Sequence, residues 1–254
     1  MNIKILVAAH EEYTMPEDSM YLPVHVGKEL STHNLLWQGD NTGEHISGKN
    51  PNYCELTALY WAWKNLDADY IGLAHYRRHF TLQKPFLSGK NKFIHVLKST
   101  EVEPLLQTVS VLLPKPRNYI IETNYSHFIH AHPAEALEQT KDILKEKYPD
   151  YLPAFEQVMK QTRAHRFNML VMKKDILHKY CDWLFDILFT LENRLDISSY
   201  SDYNKRIYGF ISERLLDVFI EANQIPYKEL PVLFMEKEHW LKKGAAFLKR
   251  KLFH

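Results

Sequence analysis

Hydrophobic positions in this chain fall into two patterns, short unbroken runs and stripes at helical spacing, and the two alternate along most of its length. Ile3 to Ala9 is short, apolar and β-branched, the pattern of a strand buried on both faces of a parallel sheet. Leu22 to Val26 predicts a second short strand, and the segment 39–51 that follows is dense in turn formers. Glu55 to Lys64 is apolar or aromatic at 56, 59, 60 and 63, one face of a helix for which Asn65 is a stop. A further apolar run begins at Tyr70 and ends abruptly at Arg77 and Arg78. Phe80 to Leu97 is basic and irregular and reads as a loop, and Val109 to Leu113 predicts a strand halted by Pro114 and Pro116. Helices are predicted over Ala134–Lys147 and Tyr151–Thr162, parted at Pro149, and a strand over Asn168–Met172. A long helix is expected from Ile176 to about Leu195, with core positions at 177, 180, 184, 188 and 191, and another from Tyr208 to Asn223. The alternation predicts an α/β fold, a sheet flanked by helices with a helical C-terminal region. No repeat or low-complexity linker divides it, so residues 1–235 read as a single domain followed by a basic tail, 236–254.

Composition agrees with a folded protein. Hydrophobic residues make up 45% of 254 and aromatics 13%, ample for a buried core. Lys and Arg total 32 against 31 Asp and Glu, so no global field favours nucleic acid and any anion site is local. Cys54 and Cys181 lack the spacing of a disulfide framework or a cysteine zinc site, which points to a reducing, cytosolic setting. The first residues lack the pattern of a signal peptide, and no run of about 18 apolar residues is present to span a bilayer.

The chemistry concentrates at His75-Tyr76-Arg77-Arg78, where a buried strand emerges from the sheet. The mouth of an α/β sheet, outside the carboxyl ends of its strands, is where nucleotides and phosphates bind. Guanidinium forks match phosphate oxygens and stay charged at working pH. The alternative is that one or both arginines pair with carboxylates at the edge of the core.

Taken together, Ile5-Leu-Val-Ala-Ala-His10, Leu22-Pro-Val-His-Val-Gly27, Gly39-Asp-Asn-Thr-Gly43, Asn50-Pro-Asn-Tyr-Cys-Glu-Leu-Thr57, Tyr60-Trp-Ala-Trp-Lys-Asn65 and Ile71-Gly-Leu-Ala-His-Tyr-Arg-Arg78 resemble one family. It is the uncharacterised-domain family of capsular and exopolysaccharide biosynthesis loci, regarded as glycosyltransferases. The blocks Asn168–Met172, Tyr180–Phe185 and Tyr208–Leu215 extend the resemblance over nearly the whole chain except its tail. It implies a GT-A-like nucleotide-binding sheet and transfer of a sugar from a UDP-sugar donor to a saccharide acceptor, with some relatives associated with galactofuranose.

Under that resemblance Ala9, His10, Val26 and Gly27 border the base or ribose, and Asp40, Asn41, Ser47 and Asn50 offer hydrogen bonds to the donor or simply form Asx turns. Glu55 either caps its helix or binds a sugar hydroxyl. His75, Tyr76, Arg77 and Arg78 stand where GT-A-like enzymes commonly carry a metal-holding Asp-x-Asp motif. The letters Asp67-Ala-Asp69 match that motif but precede the strand, so the arginines are expected to replace the metal; no cofactor is expected, and a divalent ion, manganese or magnesium, is left open. His127, His130 and His132 are candidates for the acceptor side, with a metal box or ordinary packing as the other readings. Asn168 resembles an amide that touches a sugar hydroxyl, and Glu213 is the first choice for the general base, against a structural pairing with Arg214 or Arg206.

The tail places Leu241, Ala245, Leu248 and Leu252 on one face with basic residues elsewhere, a pattern suited to an anionic membrane surface or to packing on the protein's own core. The expected setting is cytoplasmic, peripheral at the inner face of the membrane, where a lipid-linked acceptor would lie. A non-catalytic sugar-nucleotide-binding protein and a phosphotransferase are the two other function classes.

Overall fold

The computed structural model describes residues 1–83 and 91–236; the predicted amphipathic tail beyond Glu236 and part of the basic loop, 84–90, lie outside the described residues. In chain order the elements are β1 (Ile3–Ala9), β2 (Tyr21–His25), β3 (Gln38–Gly39), α1 (Asn50–Tyr53), α2 (Leu56–Asn65), β4 (Tyr70–His75), β5 (Arg78–Phe80), α3 (Ser99–Leu106), β6 (Val111–Pro114) and β7 (Arg117–Asn118). They continue with α4 (Asn124–Ala131), α5 (Ala134–Lys147), α6 (Leu152–Lys160), β8 (Arg163–Ala164), β9 (Leu170–Lys173), α7 (Lys174–Arg194), α8 (Ile207–Ala222), β10 (Lys228–Leu230) and β11 (Val232–Phe234).

One mixed sheet runs in the order β10-β6-β9-β4-β1-β2-β3, with β5 folded back antiparallel on the end of β4 and β11 paired to β5. β1 is parallel to both β2 and β4, and β10 is parallel to β6, whereas β9 is antiparallel to its neighbours β4 and β6. The expected α/β architecture is therefore present. The carboxyl ends of β1, β2, β4 and β6 consequently lie along one edge of the sheet.

The period of two along the strands splits the core into two layers. Leu6 and Ala8 of β1, Ile71 and Leu73 of β4, and Leu170 and Met172 of β9 face a thick helical layer of α2 and α4–α8. Ile3, Ile5, Val7 and Ala9 of β1 face the opposite side, a thinner cover built from α3, Tyr76, Phe80 and β11. α5 buries Ala136, Leu137, Thr140, Ile143 and Leu144, one stripe at helical spacing, while α8 is buried nearly all round and lies inside the helical layer.

Several boundaries differ from the sequence reading for physical reasons. The strand expected from Asn168 starts only at Leu170, because Phe167 and Asn168 take positive φ angles of 74° and 52° and form a turn. α3 lies beyond the predicted irregular stretch and breaks the apolar pattern with Pro104 in its interior. The histidine run forms α4, capped by Thr123, which accepts from Ser126 N–H.

Gly72 sits mid-strand in β4, between β1 and β9. A Cβ there would lie 2.9 Å from Val171 Cγ2, 3.0 Å from the Leu170 carbonyl oxygen and 3.1 Å from Ile5 Cγ1. The sheet at this point closes only around a hydrogen atom. Gly72→Ala is expected to cost about 1–3 kcal/mol by overpacking, read as a lower midpoint in denaturant unfolding; a midpoint equal to wild type would show that β1 and β9 separate freely.

Candidate active site

A cavity of about 320 Å³ opens at the carboxyl edge of the sheet, lined by Ala8, His10, Val26, Asn50, Pro51, Cys54, Glu55, His75, Arg77 and Arg206. Its position follows from the topology: β1 leads to His10, β2 leads to Val26, and β4 delivers His75 and Arg77.

The rim beside β2 is held by backbone geometry. Gly27 has φ +67°, and a Cβ at this position would meet Asn50 Oδ1 at 2.7 Å, so glycine is required for Asn50 to reach the cavity. Asp40, fully buried, accepts the N–H of Gly27 at 2.8 Å and of Lys28 at 3.1 Å and also binds the Ser47 hydroxyl. Asp40 and Ser47, expected as donor-binding groups, thus stand behind the rim with their polar atoms turned to the turn itself, and neither lines the cavity. Asn41 is exposed beside them.

The opposite wall comes from a break between two helices. Cys54, with φ 53°, separates α1 from α2 and brings Glu55 to the N-cap of α2. Asn168 Nδ2 donates to Glu55 Oε1 at 2.8 Å and to the Gly209 carbonyl at 3.2 Å. Burial pushes the Glu55 carboxyl above the ordinary range, the Asn168 bond pulls it back in part, and the charge of Glu213 pushes it further up. Glu213 does not line the cavity: Oε1 accepts Phe167 N–H at 2.8 Å and Oε2 accepts from Arg214 at 2.9 Å, with Arg166 at 3.6 Å. The pairing with Arg214 anticipated as the structural alternative is present, and it fixes the left-handed turn that aims Asn168.

Two guanidinium groups reach the cavity. Arg77 packs 4.8 Å from the Tyr76 ring and pairs with Glu236 at 3.6 Å. Arg206, which sequence reasoning considered only as a partner for Glu213, donates through Nε to Cys54 Sγ at 3.1 Å. Arg78 leaves on β5 and lies 4.6 Å from the Phe167 ring, outside the cavity lining. His75 accepts Arg77 N–H through Nδ1 at 3.2 Å and stacks on Tyr76, which lies buried beneath it and His10. Burial and the nearby Arg78 and Arg77 charges depress His75 to about 3, which keeps the imidazole neutral.

Asp67 and Asp69 occupy the other end of β4, bound to Lys174 Nζ at 2.7 Å and to the Asn2 backbone N–H at 2.7 Å. Among the described residues no group of three or more His, Cys, Asp or Glu is arranged to hold a metal ion, and Glu55 is the one carboxylate among the residues lining the cavity. The three histidines of the metal-box reading diverge: His127 contacts Arg214 at 3.4 Å, His130 pairs with Glu122 on the surface, and His132 binds Asn204. None lines the cavity. Of the acceptor candidates, Asn168 alone is bonded to a residue that does.

Residues 4–224 match the family described as a domain of unknown function, DUF4422. The chain belongs to that family. A solved structure titled as the WbbM bifunctional glycosyltransferase in its apo form superposes on the DUF4422 chain with a TM-score of 0.86 at 32% sequence identity, over 94% of this chain and 46% of that one. The chain thus spans about half the length of that protein. No curated protein matches it.

Three further histidines of this DUF4422 chain, none of which lines the cavity, are held neutral. Burial is the first cause in each case: His127 is held at about 3, and His79 and His132 at about 4. Unfolded histidine titrates near 6.5. The stability these groups contribute is full above that value and is lost as pH falls from about 6.5 towards 4, at up to about 1.4 kcal/mol per pH unit for each group. Thermal midpoints are expected to drop steeply over that window, with a shallower drop in His127→Gln; parallel curves would exclude His127 from the effect.

Proposed function

We propose that this protein is a glycosyltransferase that moves a sugar from a UDP-sugar donor to a saccharide acceptor. The observation that carries this reading is the cavity itself, which opposes two guanidiniums to a single half-buried carboxyl at the carboxyl ends of β1, β2 and β4. The likeness to a glycosyltransferase at 32% identity supports it. Arg77 and Arg206 are assigned to the diphosphate, whose charge grows as the glycosidic bond breaks. His10, Val26 and Asn50 border the nucleoside. His75, being neutral, can donate a hydrogen bond through Nε2 without adding charge. Galactofuranose as the sugar, a lipid-linked acceptor in capsular or exopolysaccharide assembly, and contact of the basic tail with the inner membrane face follow from the sequence resemblance and the tail pattern alone. Among the described residues no helix is long and apolar enough to cross a membrane.

The general base is assigned to Glu55 in preference to Glu213, because Glu55 faces the cavity while Glu213 is occupied by Arg214 and the Phe167 N–H. A carboxyl raised by burial is a stronger base near neutral pH than an ordinary one. Glu213 then acts as a positioning residue for Asn168.

UDP is expected to bind in the presence of a chelator, and Arg77→Ala or Arg206→Ala to weaken it about tenfold or more, in line with the loss of a charge-assisted hydrogen bond. Calorimetry decides: binding abolished by chelation and indifferent to both variants would overturn the assignment. UDP bound but never released from a UDP-sugar in the presence of acceptor would favour the binding-module reading.

Glu55→Gln retains the bond from Asn168 and is expected to lower transfer by about two to four orders of magnitude with donor affinity nearly unchanged. The wild-type rate should rise with pH through a limb lying above the ordinary carboxylate range. If Glu213→Gln shows the same rate loss with an unchanged thermal midpoint while Glu55→Gln stays active, the base is Glu213.

A further inference from the structure

A second cavity, of about 550 Å³, lies between the end of α6, β8, the second half of α8 and the strand β10, and shares no lining residue with the first. At its wall is a buried dyad. Asp217 accepts His165 N–H from the backbone at 3.1 Å and binds Nδ1 of the same ring, which fixes the imidazole and leaves Nε2 as its working atom. His165 is 5% exposed, and Nε2 has no hydrogen-bond partner; Glu229 Oε1 stands 3.7 Å away, beyond bonding range. A buried polar atom left open beside a cavity is costly unless something else fills its valence.

We infer that this cavity is a binding subsite for a neutral saccharide. Nε2 and the Glu229 carboxylate are spaced to share a pair of neighbouring hydroxyl groups, one accepting or donating at the ring nitrogen and the other donating to the carboxylate. Tyr227, 40% exposed and set edge-on 5.4 Å from the His165 ring, offers an aromatic surface to the C–H face of a sugar. Charge argues against other ligands. Asp217, Glu221 and Glu229 face Lys160 and Arg163 around the cavity, so neither a phosphate nor a free cation finds a field of one sign.

The subsite is coupled to the first cavity through two elements. The segment from Ala164 carries His165 on one side and, three residues later, the Asn168 that bonds Glu55. Along α8, Gly209 accepts from Asn168 and Asp217 holds His165, which places them roughly 12 Å apart at 1.5 Å per residue. The subsite would then hold a distal unit, on Tyr227, of an acceptor longer than one sugar whose reactive end lies at Glu55. This role rests on the glycosyltransferase reading, whereas the subsite's ligand class does not.

The test is saturation-transfer NMR on the full chain with short neutral galacto- and gluco-oligosaccharides as probes, alongside UDP binding. Transfer to at least one saccharide is expected, weakened about tenfold by Tyr227→Ala and by Glu229→Gln, with UDP affinity unchanged. Both side chains are partly exposed, on a loop and an edge strand, and preserved folding is checked by circular dichroism. No transfer to any saccharide, or transfer indifferent to both variants, overturns the subsite. Arg77-dependent UDP binding alongside either result leaves the glycosyltransferase reading intact. Saccharide binding lost with Tyr227→Ala in a protein that binds no UDP keeps the subsite and removes that reading.

Discussion

The hydrogen bond from the Asn168 amide to the half-buried Glu55 carboxyl is the constraint on which the candidate site depends. A carboxyl half enclosed by protein is better satisfied by a fixed donor, and that donor must come from a set direction. That direction is set by two successive left-handed residues, Phe167 and Asn168, a conformation that costs free energy for side chains with a Cβ. The Glu213 carboxylate, held by Arg214, clamps the turn through the Phe167 N–H. One wall of the cavity is thus a chain of compensations running from α8 through a strained turn to the start of α2.

Electrostatics of the cavity follow from the same economy of groups. Two guanidiniums stay charged wherever they are placed, while the imidazole of His75 is stripped of its proton by burial and by the arginines beside it. The one carboxyl facing them is pushed towards neutrality. The result is a site whose lining carries more positive than negative charge, with Glu236 outside the lining as the partner of Arg77, built without a cluster of acidic ligands. The Asp67-Ala-Asp69 letters are spent elsewhere, tying the amino end of β4 to Lys174 and to the backbone of Asn2.

Much of this was legible in the chain. β1, α5 and the run ending in His75 follow directly from hydrophobic period, because each lies against a continuous core. Of the donor candidates, His10, Val26, Asn50, Glu55, His75 and Arg77 do line one cavity, since all sit at ends of strands or at the entry to a helix, where a turn signal is visible in sequence. Asp40 and Ser47 look identical to ligands as letters, yet they satisfy backbone N–H groups nearby. Nothing in the letters marks Arg206 as a cavity residue, because it reaches the site from far along the chain, with only the Tyr208-Gly-Phe block beside it as a cue. The turn at Phe167 and Asn168 was hidden for a different reason: residues of apolar or amide type continue the strand pattern, and only the tertiary clamp by Glu213 breaks it.

The reversed direction of β9 has a consequence for how the site comes into being. Because β9 runs against β4, the residues that enter it, and not those that leave it, arrive at the carboxyl edge of the sheet. Asn168 therefore takes its place when β9 pairs with β4, a strand almost a hundred positions earlier in the chain, and Arg206 follows later still. Contacts so distant in sequence form slowly, after the loops between them have closed. Emergence of nucleotide affinity during refolding would then serve as a clock for closure of the whole sheet, and no early, locally folded intermediate would possess it.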